Sequence, residues 1–99
     1  MPTFTLTYTD EAKEQLAALA KDKNCERIYK AVKKTLGLME VNLRHPSLNT
    51  HKHESLSRIT GEDVFESYAQ NKTPAAFRVF WKYGPQNQQI TITSITSHP

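Results

Sequence analysis

Hydrophobic residues recur along this chain with two different periods, and the switches between them divide it into elements. From Thr3 to Tyr8, Phe4, Leu6 and Tyr8 alternate with threonines, which is the period-two signature of a half-buried strand. Thr9 then caps a helix. Asp10, Glu11 and Glu14 lie where a helix dipole favours negative charge, and Ala12, Leu16, Leu19 and Ala20 form one apolar stripe. This helix should stop at the polar turn Lys21-Asp22-Lys23-Asn24. A longer helix is predicted from about Glu26 to Leu43, because Ile28, Ala31, Val32, Thr35, Leu36, Met39 and Leu43 keep helical spacing over several turns. Pro46 fixes its exit by making the helical conformation unfavourable at His45. Two helices joined by a short polar turn read as an αα-hairpin, whose apolar stripes need something flat to cover.

Residues 47–60 are polar and turn-rich, with a short run, Leu56-Ser57-Arg58-Ile59, that is compatible with a strand. After the turn Gly61-Glu62-Asp63, the segments Val64 to Ala69, Ala76 to Tyr83 and Gln89 to Ser97 read as three strands. Their short connections imply antiparallel neighbours. The expected architecture is therefore α+β and two-layered: an N-terminal strand, an αα-hairpin, then an antiparallel meander sheet. The helices should cover one sheet face and leave the other free. Ninety-nine residues suffice for one core, so residues 1–99 are expected to form a single domain.

The run Phe77-Arg78-Val79-Phe80-Trp81-Lys82-Tyr83 changes the picture from architecture to chemistry. As a strand it points Phe77, Val79 and Trp81 into a core, and Arg78 to the other side with Phe80 and Lys82. Glu66 and Tyr68 share one face of their own strand. Neighbouring strands would thus bring a carboxylate, a phenol, a guanidinium and the imidazole of His98 onto one sheet surface, with His51, Lys52 and His53 on an adjacent loop. Arg78 there either binds a phosphate with its planar fork or forms an ordinary ion pair with Glu66 across the sheet. His98 offers an acid or base near neutral pH.

Charge and composition narrow the classes. A formal net charge of +3 and a pI near 9.1 permit nucleic-acid contact without requiring it. Arg27, Lys30, Lys33, Lys34 and Arg44 crowd one segment with Glu26 and Glu40, which reads as a solvated helix face ahead of a phosphate-tracking stripe, since the latter needs several cations converging on one groove. Cys25 is the single cysteine, so no intramolecular disulfide forms, and it reads as a half-buried thiol near a helix start. No apolar stretch has membrane-spanning length, and Met1-Pro2-Thr3-Phe4 lacks the features of a secretory leader, so a soluble, cytoplasmic protein without a membrane partner is expected. No glycine-rich phosphate loop, nucleophile elbow or paired-cysteine motif is present, which removes nucleotide-dependent transfer, serine hydrolase and zinc-finger readings. His45, His51 and His53 lack any metal-ligand spacing, so no metal and no small-molecule cofactor is expected. Metal-independent RNA cleavage fits: the 2′-hydroxyl of the substrate is the nucleophile, and the protein need supply only a base, an acid and a cation.

The helical hairpin, the segment Leu48-Asn49-Thr50-His51-Lys52, the strand Val64-Phe65-Glu66-Ser67-Tyr68, the strand Phe77-Arg78-Val79-Phe80-Trp81 and a branched strand ending at His98 together resemble the RelE/ParE toxin superfamily of bacterial type II toxin-antitoxin systems. The likeness runs over nearly the whole chain, and its most specific part is the aromatic-Arg-aliphatic-x-aromatic strand with the terminal histidine. It implies a compact domain that arrests growth, usually by cutting mRNA in the ribosomal A site without metal, and that is silenced by a partly disordered antitoxin. In those terms Arg78 contacts the scissile phosphate, His98 is the catalytic histidine and Glu66 the candidate base. Lys52, Lys82 and His51 attract the RNA, and Tyr68 stacks on a base. RelE itself carries lysines where this chain has Glu66 and Tyr68, and a tyrosine on a C-terminal segment absent after Pro99. The gyrase-poisoning ParE branch and a non-catalytic antitoxin-binding module share the fold.

Overall fold

The computed structural model describes residues 3–98 and contains three helices and five strands. β1 (Thr5–Tyr8) leads into α1 (Asp10–Lys21) and α2 (Glu26–Val41). β2 (His51–Lys52), α3 (Glu54–Thr60), β3 (Phe65–Tyr68), β4 (Phe77–Tyr83) and β5 (Gln89–Ser97) follow. The α1 N-terminus is set by the Thr9 hydroxyl, which accepts the Ala12 N–H at 3.1 Å. α2 ends at Val41, one half-turn short of the expected Leu43, and a 3-10 turn at Pro46–Leu48 redirects the chain.

The sheet order is β1-β5-β4-β3-β2. β3, β4 and β5 form the expected antiparallel meander, and β2 extends it antiparallel at one edge. β1 pairs in parallel with β5, through contacts such as Leu6 opposite Ile90 and Tyr8 opposite Ile92. The αα-hairpin supplies the long crossover that a parallel pair requires.

Alternation sorts the sheet residues. Val79 and Trp81 of β4 lie opposite Ile95 and Ile92 of β5, and these four join Ala12, Leu19, Val32, Leu36 and Met39 of the helices in one core. A register shift between Phe80 and Trp81 allows isoleucines 92 and 95, three apart, to share the core face. Trp81 has no solvent exposure, and its indole N–H donates to Ser67 Oγ at 2.9 Å, so the largest core side chain leaves no orphan donor.

Two sequence expectations are corrected. Leu56 to Ile59 is not a strand but the middle of α3, whose start is capped by His53 Nδ1 accepting from Leu56 N–H at 3.2 Å and whose end is Gly61 at φ 77°. Glycine tolerates that left-handed turn, which releases the chain toward β3. The second sheet face is also less bare than expected: Phe80, Glu66 and Arg78 are all buried, and the His53 ring meets Phe80 edge-on at 5.7 Å.

Candidate functional site

β3 and β4 bring the second face into being. Tyr68 lies directly opposite Arg78 and Glu66 opposite Phe80, so Glu66 reaches Arg78 along the diagonal. β2 adds His51 opposite Glu66, and the end of β5 adds His98, whose backbone N–H is anchored to the Ala76 carbonyl at 2.7 Å. Three of the predicted site residues, His51, Arg78 and His98, thereby converge on a fourth, Glu66.

That carboxylate is 3 % exposed. Its Oε1 lies 3.1 Å from His51 Nε2, and its Oε2 lies 3.2 Å from Arg78 Nε and 3.6 Å from His98 Nδ1. Arg78, 6 % exposed, stacks its guanidinium 3.6 Å above the Tyr68 ring, an electrostatically favourable cation–π arrangement. Its Nη1 donates to the carbonyls of Gln70 and Phe77. The Glu66–Arg78 contact has the separation of an ion pair but not the alignment of a hydrogen bond: Oε2 and Nε are both buried and neither completes one. A purely structural pair would be expected to close as a bidentate fork, since each unsatisfied buried polar atom costs about 1–3 kcal/mol.

The two imidazoles sit at the solvent boundary but differ in commitment. His51 has Nδ1 2.9 Å from the Asn49 carbonyl and Nε2 on Glu66, so both ring nitrogens face acceptors. His98 touches Glu66 only through Nδ1, at a distance beyond a hydrogen bond. Among the described residues, His98 thus keeps Nε2 uncommitted.

The lysines are placed differently. Register puts Lys52 opposite Phe65, on the helix side of the sheet, and its Nζ pairs with Asp63 at 3.2 Å. Lys82 keeps to the second face, where Glu62 holds its Nζ at 3.0 Å. Neither joins the Glu66 cluster. Desolvation and the neighbouring Asp22 carboxylate push the Cys25 thiol up, away from the thiolate form. Two residues were invisible to sequence reasoning: Gln70, whose carbonyl holds Arg78, and Asn49, whose left-handed backbone (φ 46°) aims a carbonyl at His51. Both act through the main chain, which carries no side-chain signature.

This arrangement of strands and helices recurs in solved structures. A YoeB–YefM complex from Staphylococcus aureus superposes with a TM-score of 0.68 at 14 % identity, over 97 % of this chain and 98 % of that one. The chain has the fold of the RelE/ParE toxins. A YoeB/ParE toxin from Agrobacterium tumefaciens matches at a TM-score of 0.71 with 6 % identity, over 97 % of this chain and all of that one. An archaeal RelE–RelB complex from Pyrococcus horikoshii matches at 0.64 with 15 % identity, over 96 % and 94 %. No protein-family model matches the sequence, and no curated protein does. The fold is thus shared at sequence identities of 6 to 15 %.

Proposed function

We infer that this chain is the toxin of a toxin-antitoxin pair and that it cuts mRNA on the ribosome without a metal. The observation that carries this reading is the under-satisfied Arg78 guanidinium, held on a rigid strand with an unpaired Nε–H beside two solvent-edge imidazoles. In RNA transesterification the 2′-oxygen loses its proton and bonds to phosphorus, the P–O5′ bond breaks, and the 5′-oxygen takes up a proton. Arg78 serves the charge that develops on the phosphoryl oxygens, which would draw its unpaired donor away from Glu66. His98, with a nitrogen to spare, moves the proton. Tyr68 keeps the guanidinium plane in place and, in this scheme, stacks on a base of the substrate. Glu66 and His51 are positioning residues in this scheme: the carboxylate orients Arg78 and His98, and His51 ties that carboxylate to the Asn49 backbone. Lys82 adds field rather than contact, and Lys52 contributes only after leaving Asp63.

The structures sharing this fold include complexes described as YoeB–YefM and RelE–RelB, which supports an antitoxin partner for this chain. Both sheet edges, β1 and β2, are short strands paired on one side only, where a partner segment could add.

A second reading has its own observation. Arg78 is almost fully buried and its Nη1 already serves two carbonyls, as in a structural cluster, which favours a protein that binds a target such as gyrase without chemistry. Mapping mRNA 5′ ends in cells after brief induction separates the two. Cleavage predicts new ends inside translated frames that vanish with Arg78→Ala and fall steeply with His98→Ala. Growth arrest with intact mRNA and a DNA-damage response would replace it with the binding-only reading.

A further inference from the structure

The connection between β3 and β4 reaches the Glu66 cluster through its two ends. Residues 71–75 between those ends are all exposed, and among the described residues they make no hydrogen bond or ion pair. Two of them, Lys72 at φ 61° and Ala75 at φ 53°, are non-glycine residues in the left-handed region. That backbone is unfavourable for L side chains, and neither residue has the short polar group that lets asparagine accept it. Such a conformation persists only where its surroundings hold it, and here every holding contact lies at the ends. At the first end Gln70 touches the start of β4 in three ways. Its N–H donates to the Phe77 carbonyl at 3.1 Å, its Oε1 accepts the Phe77 N–H at 3.2 Å, and its carbonyl accepts from Arg78 Nη1. At the other end Ala76 is buried, and its carbonyl holds the His98 N–H.

The groups around the Arg78 guanidinium differ in how firmly they are built in. Tyr68, stacked on it, and Glu66, beside its Nε, both belong to the β3–β4 ladder, so neither moves without opening the sheet. Gln70 lies beyond the last ladder pair, Tyr68 with Arg78. It can leave alone, because the Phe77 carbonyl keeps the Ala69 N–H at 3.1 Å and His98 keeps its anchor on Ala76. We propose that residues 70–75 form a strap that keeps Arg78 covered, and that displacing it opens the guanidinium to a phosphate. The proposal concerns regulation of the site read above as a cleavage centre, and it rests on that reading for what arrives there. It accounts for a guanidinium that is 6 % exposed with Nη1 already on two carbonyls, an arrangement that a phosphate-binding role alone leaves unexplained. Displacement of Gln70 frees an Nη1–H donor for a phosphoryl oxygen. The two left-handed residues bias the strap toward release, since their strain is borne in the closed form and relieved when it moves.

The test treats the purified protein with phenylglyoxal, an arginine-selective reagent, and follows modification of each arginine by peptide mass. Exposed Arg27, Arg44 and Arg58 serve as internal references, and hydrogen exchange at the buried Val79 reports any global opening. Ala75→Asn supplies a residue that accepts the left-handed turn and should slow Arg78 modification about fivefold. Ala75→Val supplies a β-branched one that tolerates it least and should speed modification about tenfold, with the reference arginines and Val79 exchange unchanged. If Ala75→Val does not fold, Gln70→Ala, which removes the Oε1 tie to Phe77, takes its place with the same expected direction. Arg78 modified in the wild type as fast as the exposed arginines, or at one rate in every variant, would overturn the strap. In cells, new mRNA 5′ ends should rise and fall in the same order as Arg78 reactivity. Reactivity that follows the strap while no variant yields new ends sinks the cleavage reading alone; cleavage with Arg78 reactivity unmoved by the variants sinks the strap alone.

Discussion

The two faces of β4 come from one stretch of seven residues and follow opposite rules. Toward the helices, Val79 and Trp81 are wholly buried in apolar surroundings, and the one polar atom among them, the Trp81 indole nitrogen, has its partner in Ser67. On the other side, Arg78 is almost equally buried, yet its Nε and the Glu66 Oε2 beside it complete no hydrogen bond. The first face is optimised for stability. The second retains buried charges whose desolvation a well-packed apolar pair would avoid, a departure from local consistency of the kind found at functional sites.

The largest effect that could break this comparison is on the core side. Trp81→Ala should cost about 3–5 kcal/mol in denaturant unfolding, since the cavity left between β3, β4 and the helices cannot collapse. A loss below about 1 kcal/mol would mean that face is not the core.

Next comes the charged face. Glu66→Ala strands Arg78 without its counter-charge and should cost about 3 kcal/mol, whereas Glu66→Leu with Arg78→Met should recover most of that loss, because replacing a buried pair by apolar residues is often neutral or stabilising. Equal damage in single and double variants, read from the same unfolding curves, would show that the pair stabilises the fold.

Ser67 ties β3 to β4 and to the segment before β2, accepting from Trp81 and sharing a 2.7 Å hydrogen bond with Thr50. Ser67→Ala leaves the indole N–H buried and unpaired, at about 1–2 kcal/mol. Unchanged stability would indicate that another acceptor replaces it.

The smallest effect sharpens the core side through pH. Desolvation, with Glu40 second, raises Tyr8 above its ordinary value of 10.0. Keeping the phenol neutral therefore stabilises the fold fully below about pH 10, and this contribution is lost as pH rises through the folded value. Tyr8→Phe should flatten the alkaline fall in melting temperature, and an identical fall in both proteins would remove Tyr8 from that role.

How much of this was readable in advance depended on the range of the contacts. The alternation in β4 and β5 and the two helical stripes are properties of adjacent residues, so the faces of Arg78, Val79 and Trp81 could be read directly. α3 could have been found from Gly61, a helix-ending signal, but Leu56 and Ile59 span too little chain for their spacing to separate helix from strand. The parallel pairing of β1 with β5 joins residues more than eighty apart and has no local trace. For β2, two residues define no period, and only the observed register shows that His51 reaches Glu66 while Lys52 turns away. The convergence on Glu66 was anticipated as shared faces; the unfinished Glu66–Arg78 contact depends on angles that a sequence does not specify.

The central claim is that the second face exists for cleavage and not for folding. The direct test compares wild type with the Glu66→Leu/Arg78→Met double variant, mapping mRNA 5′ ends after brief induction and measuring unfolding of both proteins. The account predicts similar stability and complete loss of new 5′ ends in the variant. A stable double variant that still produces the wild-type pattern of ends would contradict it.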